Sequence, residues 1–546
     1  MTKPFKKTGF YLLSILLIVA LVLAGCSSNN SGVNQSSTGS SSGGQSLGGG
    51  SQSEGGSSNE EDGPQKGGTL RIGMTFPNLN LGYTAGFRNF QDIFASTPAL
   101  ETLIRINESG EWEPFLADNW EVNPDNKTIV FKLKQGIQFH DGAVFNAAAV
   151  KANVDQAIEA KQIELSDIVS AEVVDEYTVR LRLANWNSAI LDALANYLWI
   201  VSPDAIRDLG KEGLEKQPVG TGPFEFVSWE PDVALRYQKF EGYWQEGKPH
   251  LDAVEIRYYQ DSMTASSSFK ANEIDVFFYV PDQLANEMQG TAQIAQLSSG
   301  FGAGQEGLIA SFKDPSSPFA DVRVRKAMGH AIDVEAMIQS IKLGYAIPTN
   351  QWGPPAAWSY NPNLKGLPYD PELSKQLLAE AGYPDGFRTT LYATPNEQML
   401  MTAVQGFLAN VGIMAEIEMV DSGKMQQITS DGTWDGIVRL SLRGGEPELS
   451  LYMTRYFTEK APRFAKGIVL PEELEPLFDE LRLAKDQAEK EKIAHEIQRV
   501  VWEEHVLAIP LWVVTMPSIL QNNVHGSGIN KLNGSIWTPE NAWLEQ

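Results

Sequence analysis

"EPFLADNWEVNPDNKTIVFKLKQGIQFHDGAVFNAAAVKANVD", residues 113–155, decides the fold class because two periodicities meet in it. Trp120 and Val122 start a strand, Pro124-Asp125-Asn126-Lys127 makes a turn, and Ile129, Phe131 and Leu133 alternate with Val130, Lys132 and Lys134 on the returning strand. The pattern predicts a hairpin with one buried face. Gly136 and Asp141-Gly142 then signal turns, and Asn146 stands at a helix cap ahead of three alanines.

Outward from this stretch the same mixture continues. "EAMIQSIKLG" from Glu335, "PELSKQLLAEAG" from Pro371 and "PEELEPLFDELRLAKDQAEKEKIAHEIQRVVWEEH" from Pro471 carry apolar residues at helical spacing. Between them, "VEIRYY", "EIDVFFYV", "AEIEMV" and "LAIPLWVV" read as strands, so the body is mixed α/β. From about Gly67 to Gln546 it is longer than one hydrophobic core usually serves, and two or more lobes are expected. Its 42% hydrophobic and 10% aromatic content is that of a globular protein. A net charge of −25 argues against nucleic acid as a partner, because phosphates need a basic face. The acidity suits a soluble, exported surface.

The N-terminus is built differently. Lys3, Lys6 and Lys7 precede an apolar run from Phe10 to Leu23, which is short of the roughly 20 residues of a spanning helix. Small residues Ala24 and Gly25 come next, then Cys26, the one cysteine of 546 residues, which therefore has no partner for an internal disulfide. Residues 1–25 read as a signal peptide. Leu23-Ala24-Gly25-Cys26 resembles the bacterial lipobox, which implies lipid on Cys26 and anchoring at the outer face of the cell membrane, or in the periplasm of a double-membrane cell. Residues 26–66, almost wholly Ser, Gly, Asn and Gln after the cysteine, form a flexible tether.

Two motif matches fail on context. Gly44-Gln45-Ser46-Leu47-Gly48 fits a nucleophile elbow but lies in the tether. Gly302-Ala303-Gly304-Gln305-Glu306-Gly307 fits a dinucleotide loop, yet "LIASF" after it reads as a strand and not as the helix that would hold a pyrophosphate. There is no P-loop and no H-E-x-x-H, and His495 and His505 are ten apart, a spacing that suits a solvated helix face and not a metal pair. No nucleophile with a base and no carboxylate pair is evident, so neither enzyme activity nor a metal or other cofactor is expected.

Motifs in order along the body resemble the extracellular solute-binding proteins of family 5, the large peptide, nickel and opine receptors of ABC importers. They are "ALETLIRIN" from Ala99, "PVGTGPFEFVSWEPD" from Pro218, "YWQEGKPHLDAVEIR" from Tyr243, "KANEIDVF" from Lys270, "PFADVRVRKAMGHAID" from Pro318 and "YDPELSKQLLAEAGYPDGF" from Tyr369. The resemblance implies a two-lobed, type II periplasmic-binding-protein-like α/β fold with an extra inserted subdomain. Carried over, the first lobe takes residues 67–307 plus 510–546, with the insertion at about 102–196, and the second lobe takes 308–509. It implies a monomer that captures a small solute or short peptide in a cleft, closes by a hinge and delivers it to an ABC permease and its ATPase. An oligosaccharide receptor of the same family, a non-transport signalling or adhesive lipoprotein, and a surface hydrolase are the competing readings.

For the site, the resemblance places an amine-anchoring aspartate of oligopeptide receptors four residues before the proline of a Glu-Pro pair. In "WDGIVRLSLRGGEPELSLYM" that pair is Glu446-Pro447 and the position holds Arg443. A guanidinium favours carboxylate or phosphate over ammonium. Period two along Ile437 to Leu442 puts Arg439, Ser441 and Arg443 on one side, facing either the cleft or nearby acids such as Glu446. The ligand set expected here also includes Tyr83 and Phe87, in the cleft-like segment "LNLGYTAGFRNF", and Trp352 and Trp358 in "QWGPPAAWSY". Nickel is disfavoured by the lack of histidine between Trp434 and Tyr456.

Overall fold

The computed structural model describes residues 63–546, apart from 88, 108–109, 298–303, 443–448, 450–452 and 532–535. The hairpin pairs Ala117–Asn123 with Thr128–Leu133, setting Trp120 opposite Phe131 and Val122 opposite Ile129. Ile129, Phe131 and Leu133 point into a core while Lys132 stays in water, as alternation requires. Strands Ile168–Asp175 and Thr178–Leu183 complete a four-stranded antiparallel sheet. Helix Ala147–Glu159 starts where expected, with Asn146 Oδ1 accepting from the Ala148 and Ala149 N–H groups at 3.0 and 3.1 Å.

This small sheet has its own core and is inserted into a larger lobe. That lobe is built on a seven-stranded sheet ordered Phe224–Glu230, Ala234–Lys239, Ala253–Tyr258, Thr69–Met74, Val276–Phe277, Ser518–Leu520, Gln293–Ala295. The other lobe has a six-stranded sheet ordered Ala346–Pro348, Ile509–Val514, Gln305–Ala310, Ile437–Leu442, Phe387–Ala393, Ile413–Met419. The strand Gln305–Ala310 takes in the first three residues of the "LIASF" run, which is extended and not helical, as the sequence suggests. Each of the three bodies has its own large apolar core, separate from the other two.

Acidic residues do much of the local work. Asp261, Asp321, Asp333, Asp370, Asp421 and Asp486 each cap a helix by accepting from first-turn N–H groups, which accounts for part of the negative charge. The expected helical run from Pro471 breaks into Leu474–Leu483 and Gln487–Gln498, because Ala484 turns extended and Asp486 caps anew. Among the described residues no helix is long and apolar enough to cross a membrane.

The chain crosses between the lobes after Ala295 and returns after Val514. Leu297 N–H donates to Thr515 O at 3.0 Å and Val514 N–H to Gly304 O at 2.8 Å, which ties the two crossings together. Asn530, 2% exposed, donates its amide to Ala295 O, Met516 O and Ser518 Oγ at 3.1, 2.9 and 3.1 Å. One side chain thus staples both crossings to the first lobe.

Candidate functional site

Strand direction locates the site. In the first lobe Thr69–Met74, Ala253–Tyr258 and Val276–Phe277 run parallel. In the second, Phe387–Ala393, Ile413–Met419 and Ile437–Leu442 run parallel. Both crossings lie at the carboxyl ends of these strands, since Gln305 pairs with Leu442 and Val513, and Ser518 leads into the strand beside Val276–Phe277. Ligands of open α/β sheets bind beyond such ends. The cleft is therefore lined by the segments after Met74, Tyr258 and Phe277 on one side and after Ala393, Leu442 and Val514 on the other.

One sizeable cavity does not coincide with it. A space of about 790 Å³ lined by Ser311, Arg388, Thr433, Trp434 and Lys466 sits at the opposite end of the second sheet, beside the strand starts. We assign the site from topology, because that cavity lies beside the strand starts and not beyond their carboxyl ends.

From the first lobe, the loop after Met74 is pinned by Asp92, whose carboxylate accepts from Leu79 and Asn80 N–H at 2.8 and 3.2 Å. Asn80 in turn holds Tyr83, donating to its carbonyl at 2.7 Å and accepting its N–H at 3.0 Å. Tyr83 is half-buried with the Lys211 ammonium 5.4 Å from its ring, whereas Phe87 lies in the first core. An aromatic ladder lies here too, built around Phe90, the last ring of the segment "LNLGYTAGFRNF". Phe76 meets Phe90 edge-on at 5.9 Å, Phe90 meets Tyr279 at 5.1 Å, and Tyr279 stacks on Phe278 at 3.9 Å. Phe76 and Leu79 are exposed at its end.

From the second lobe, cross-strand pairing sets Arg439 opposite Leu308, and Glu306 opposite both Ser441 and Trp512. Arg439 and Ser441 share a face, as period two requires, with Val438, Leu440 and Leu442 buried on the other. Arg439 does not present a bare charge. Its guanidinium makes a two-pronged pair with Glu306 and donates to Glu397 at 3.0 Å. Burial alone would lower its pKa, but the two carboxylates outweigh it and raise the value.

Arg463 stands beside this group. Burial lowers its pKa and the Arg439 charge pushes the same way, against Tyr456 and Glu397. Its contacts are Thr429 Oγ1 at 3.1 Å and the Phe464 ring at 4.8 Å. Among the described residues no carboxylate pairs with it within 4 Å. Sequence reasoning misses it because it lies on a loop with no periodicity to flag it.

Trp352 is 2% exposed within the second core, its backbone bonded both ways to Gln498 at 3.1 and 2.9 Å. Trp358 is half-buried and covers the Lys490 ammonium at 4.7 Å. Arg443, Glu446 and Cys26 lie outside the described residues. Around the crossings, Asn78 Nδ2, Trp512 Nε1, Thr515 Oγ1 and Asn530 Oδ1 are buried without a hydrogen-bond partner among the described residues. Such atoms are costly to leave unmet.

Residues 111–461 match the family model described as "Bacterial extracellular solute-binding proteins, family 5 Middle". The chain is 32% identical over 440 residues to the glutathione-binding protein GsiB of Escherichia coli (strain K12), covering 78% of this chain and 85% of that protein. It is similar in fold to HbpA2 from Haemophilus parasuis, at a TM-score of 0.78 and 23% identity, over 88% of this chain and 100% of the other. It is also similar to AgaA from A.tumefacien R10, solved in complex with agropinic acid, at a TM-score of 0.66 and 27% identity, over 88% and 99% of the two chains.

Proposed function

We propose, from the premise that the chain belongs to the bacterial extracellular solute-binding proteins of family 5, that this receptor of an ABC importer captures a small, anionic, peptide-like solute, with glutathione as the model ligand. Lobe closure buries the solute, and no bond is made or broken. The observation that carries the ligand class is the division of charge in the second lobe. Glu306 and Glu397 occupy Arg439, which leaves neighbouring Arg463 as a guanidinium with no carboxylate partner within 4 Å among the described residues. Glutathione carries two carboxylates and one ammonium, and a guanidinium suits a carboxylate. Arg443 and Glu446 stay in the proposed ligand set on sequence grounds.

Location follows the same reading. Lipid on Cys26 tethers a monomeric body outside the cell membrane through residues 26–66, where it meets the permease. Isothermal titration with reduced glutathione, tetra-alanine and Ni²⁺ tests the ligand class. Saturable one-site binding of glutathione, weakened tenfold or more in Arg463→Gln, is expected. Binding of tetra-alanine in preference to glutathione, or an unchanged affinity in Arg463→Gln, overturns the assignment.

A further inference from the structure

A helix leaves its last carbonyls without intrahelical donors, and something else must meet them. At the end of helix Leu474–Leu483 in the second lobe, the donors come from the inserted subdomain of the first. Ser188 Oγ–H donates to Leu481 O at 2.7 Å, Ser188 N–H to Arg482 O at 2.8 Å, and the Trp186 indole N–H to Ala484 O at 2.8 Å. The extended turn at Ala484, φ −54° and ψ 138°, aims the last of these carbonyls at the indole. Trp186 and Ser188 are 8% and 6% exposed, so the bonds are shielded from water.

The next helix answers in the other direction. Lys490, 3% exposed, donates from Nζ to Ser188 O at 3.2 Å. Its ammonium lies 4.7 Å from the Trp358 ring of the second lobe and 5.7 Å from the Trp112 ring that packs on the insertion's core. Each half of the molecule thus contributes one ring to the cation.

We propose that the structure holds the lobes in their closed arrangement and that this reciprocal contact is a lock on it. The bonded groups are some 290 to 300 residues apart in sequence, on bodies joined covalently only through the crossings near Ala295 and Val514. Hinge opening breaks all four bonds together and hands the carbonyls to water. Opening also rehydrates the Lys490 ammonium, which offsets part of what the bonds contribute and keeps the lock reversible. The four bonds are made by Trp186, Ser188 and Lys490, none of which is in the ligand set expected for the cleft; only the Trp358 ring is shared with that set.

Cys26 is the chain's one cysteine, so in the full chain carrying Cys26→Ser, spin labels at Glu159→Cys and Lys375→Cys report one interlobe distance. In ligand-stripped protein, the double variant Trp186→Phe with Ser188→Ala is expected to add a longer distance, its share rising roughly fivefold for each bond lost. Lys490→Met is expected to do the same to a smaller degree, since it loses one bond and a cation held by two rings. Distance distributions in both variants that match the parent overturn the lock and make the contact a static one. If the double variant does not fold, Ser188→Ala alone decides by the same readout.

Discussion

Two carboxylates, one in each lobe, are buried by opposite means. Glu101, 2% exposed in the first lobe, is met by neutral donors: Thr221 Oγ1 at 2.8 Å, Tyr243 OH at 2.8 Å and Trp244 Nε1 at 2.9 Å. Glu306, 9% exposed in the second, is met by the Arg439 guanidinium. Neutral donors ease the desolvation of a charge without cancelling it. Burial therefore pushes Glu101 up to about 8, the three hydrogen bonds pulling back and nearby Glu540 adding to the rise. Glu101 escapes its charge by holding a proton near neutral pH, whereas Glu306 keeps its charge only while its partner stays. The first lobe's device answers to pH and the second's to the integrity of one side chain.

The largest break in this contrast is removal of that side chain. Arg439→Met leaves Glu306 and Glu397 buried together without a countercharge, and a loss of about 3–5 kcal/mol is expected in urea unfolding near pH 7.5. Adding Glu306→Gln to it should restore part of the loss, because the two positions couple. An additive result would separate the pair.

The pH response is the next in size. Glu101 binds its proton more tightly folded than unfolded, so below about pH 4.5 both states are protonated and nothing is lost. As pH rises toward about 8 the unfolded chain releases the proton first, and stability falls, by on the order of 4 kcal/mol by about pH 7.5. Glu101→Gln keeps the shape without the proton, with its amide N–H₂ turned toward the Tyr243 oxygen. The difference between parent and variant, read from unfolding midpoints across that window, should shrink steadily as pH rises. A constant difference would mean that Glu101 does not titrate there.

How far these devices were legible in the sequence differs between them. Local patterns carried the hairpin after Ala117, the Asn146 cap and the face shared by Arg439 and Ser441, because each depends on neighbours a few residues apart. The partner of Arg439 could not be read in this way: Glu306 is 133 residues away and Glu397 is 42. Trp352 looked like a ligand ring in a Pro-rich loop, but its backbone is fixed by Gln498, a bond across 146 residues. The break at Ala484 did leave a local trace in Asp486 and Glu489. Asp486 accepts the Glu489 N–H at 2.9 Å and Glu489 accepts the Lys485 N–H at 2.8 Å, close to a capping box hidden inside a charged helical run. Glu101 sits within "ALETLIRIN", yet its donors arrive from 120 to 143 residues away, and only the fold brings them to it.

The smallest expected effect separates the two devices most sharply. Thr221→Val removes one donor from Glu101 and nearly preserves shape. A hydrogen bond between neutral groups contributes about 1 kcal/mol net, and one to a charged group about 1.5–3 kcal/mol. If Glu101 holds its proton, the substitution should cost about 1 kcal/mol at pH 6 and more above pH 8, where the carboxylate is charged and has only Tyr243 and Trp244 left. The titration itself should move upward, since the lost bond favoured the charged form. A cost of about 2 kcal/mol that is already full at pH 6 would mean Glu101 is ionised throughout. The first lobe would then bury a naked charge on three neutral donors, and the contrast with Arg439 and Glu306 would lie in the donors alone and not in the proton.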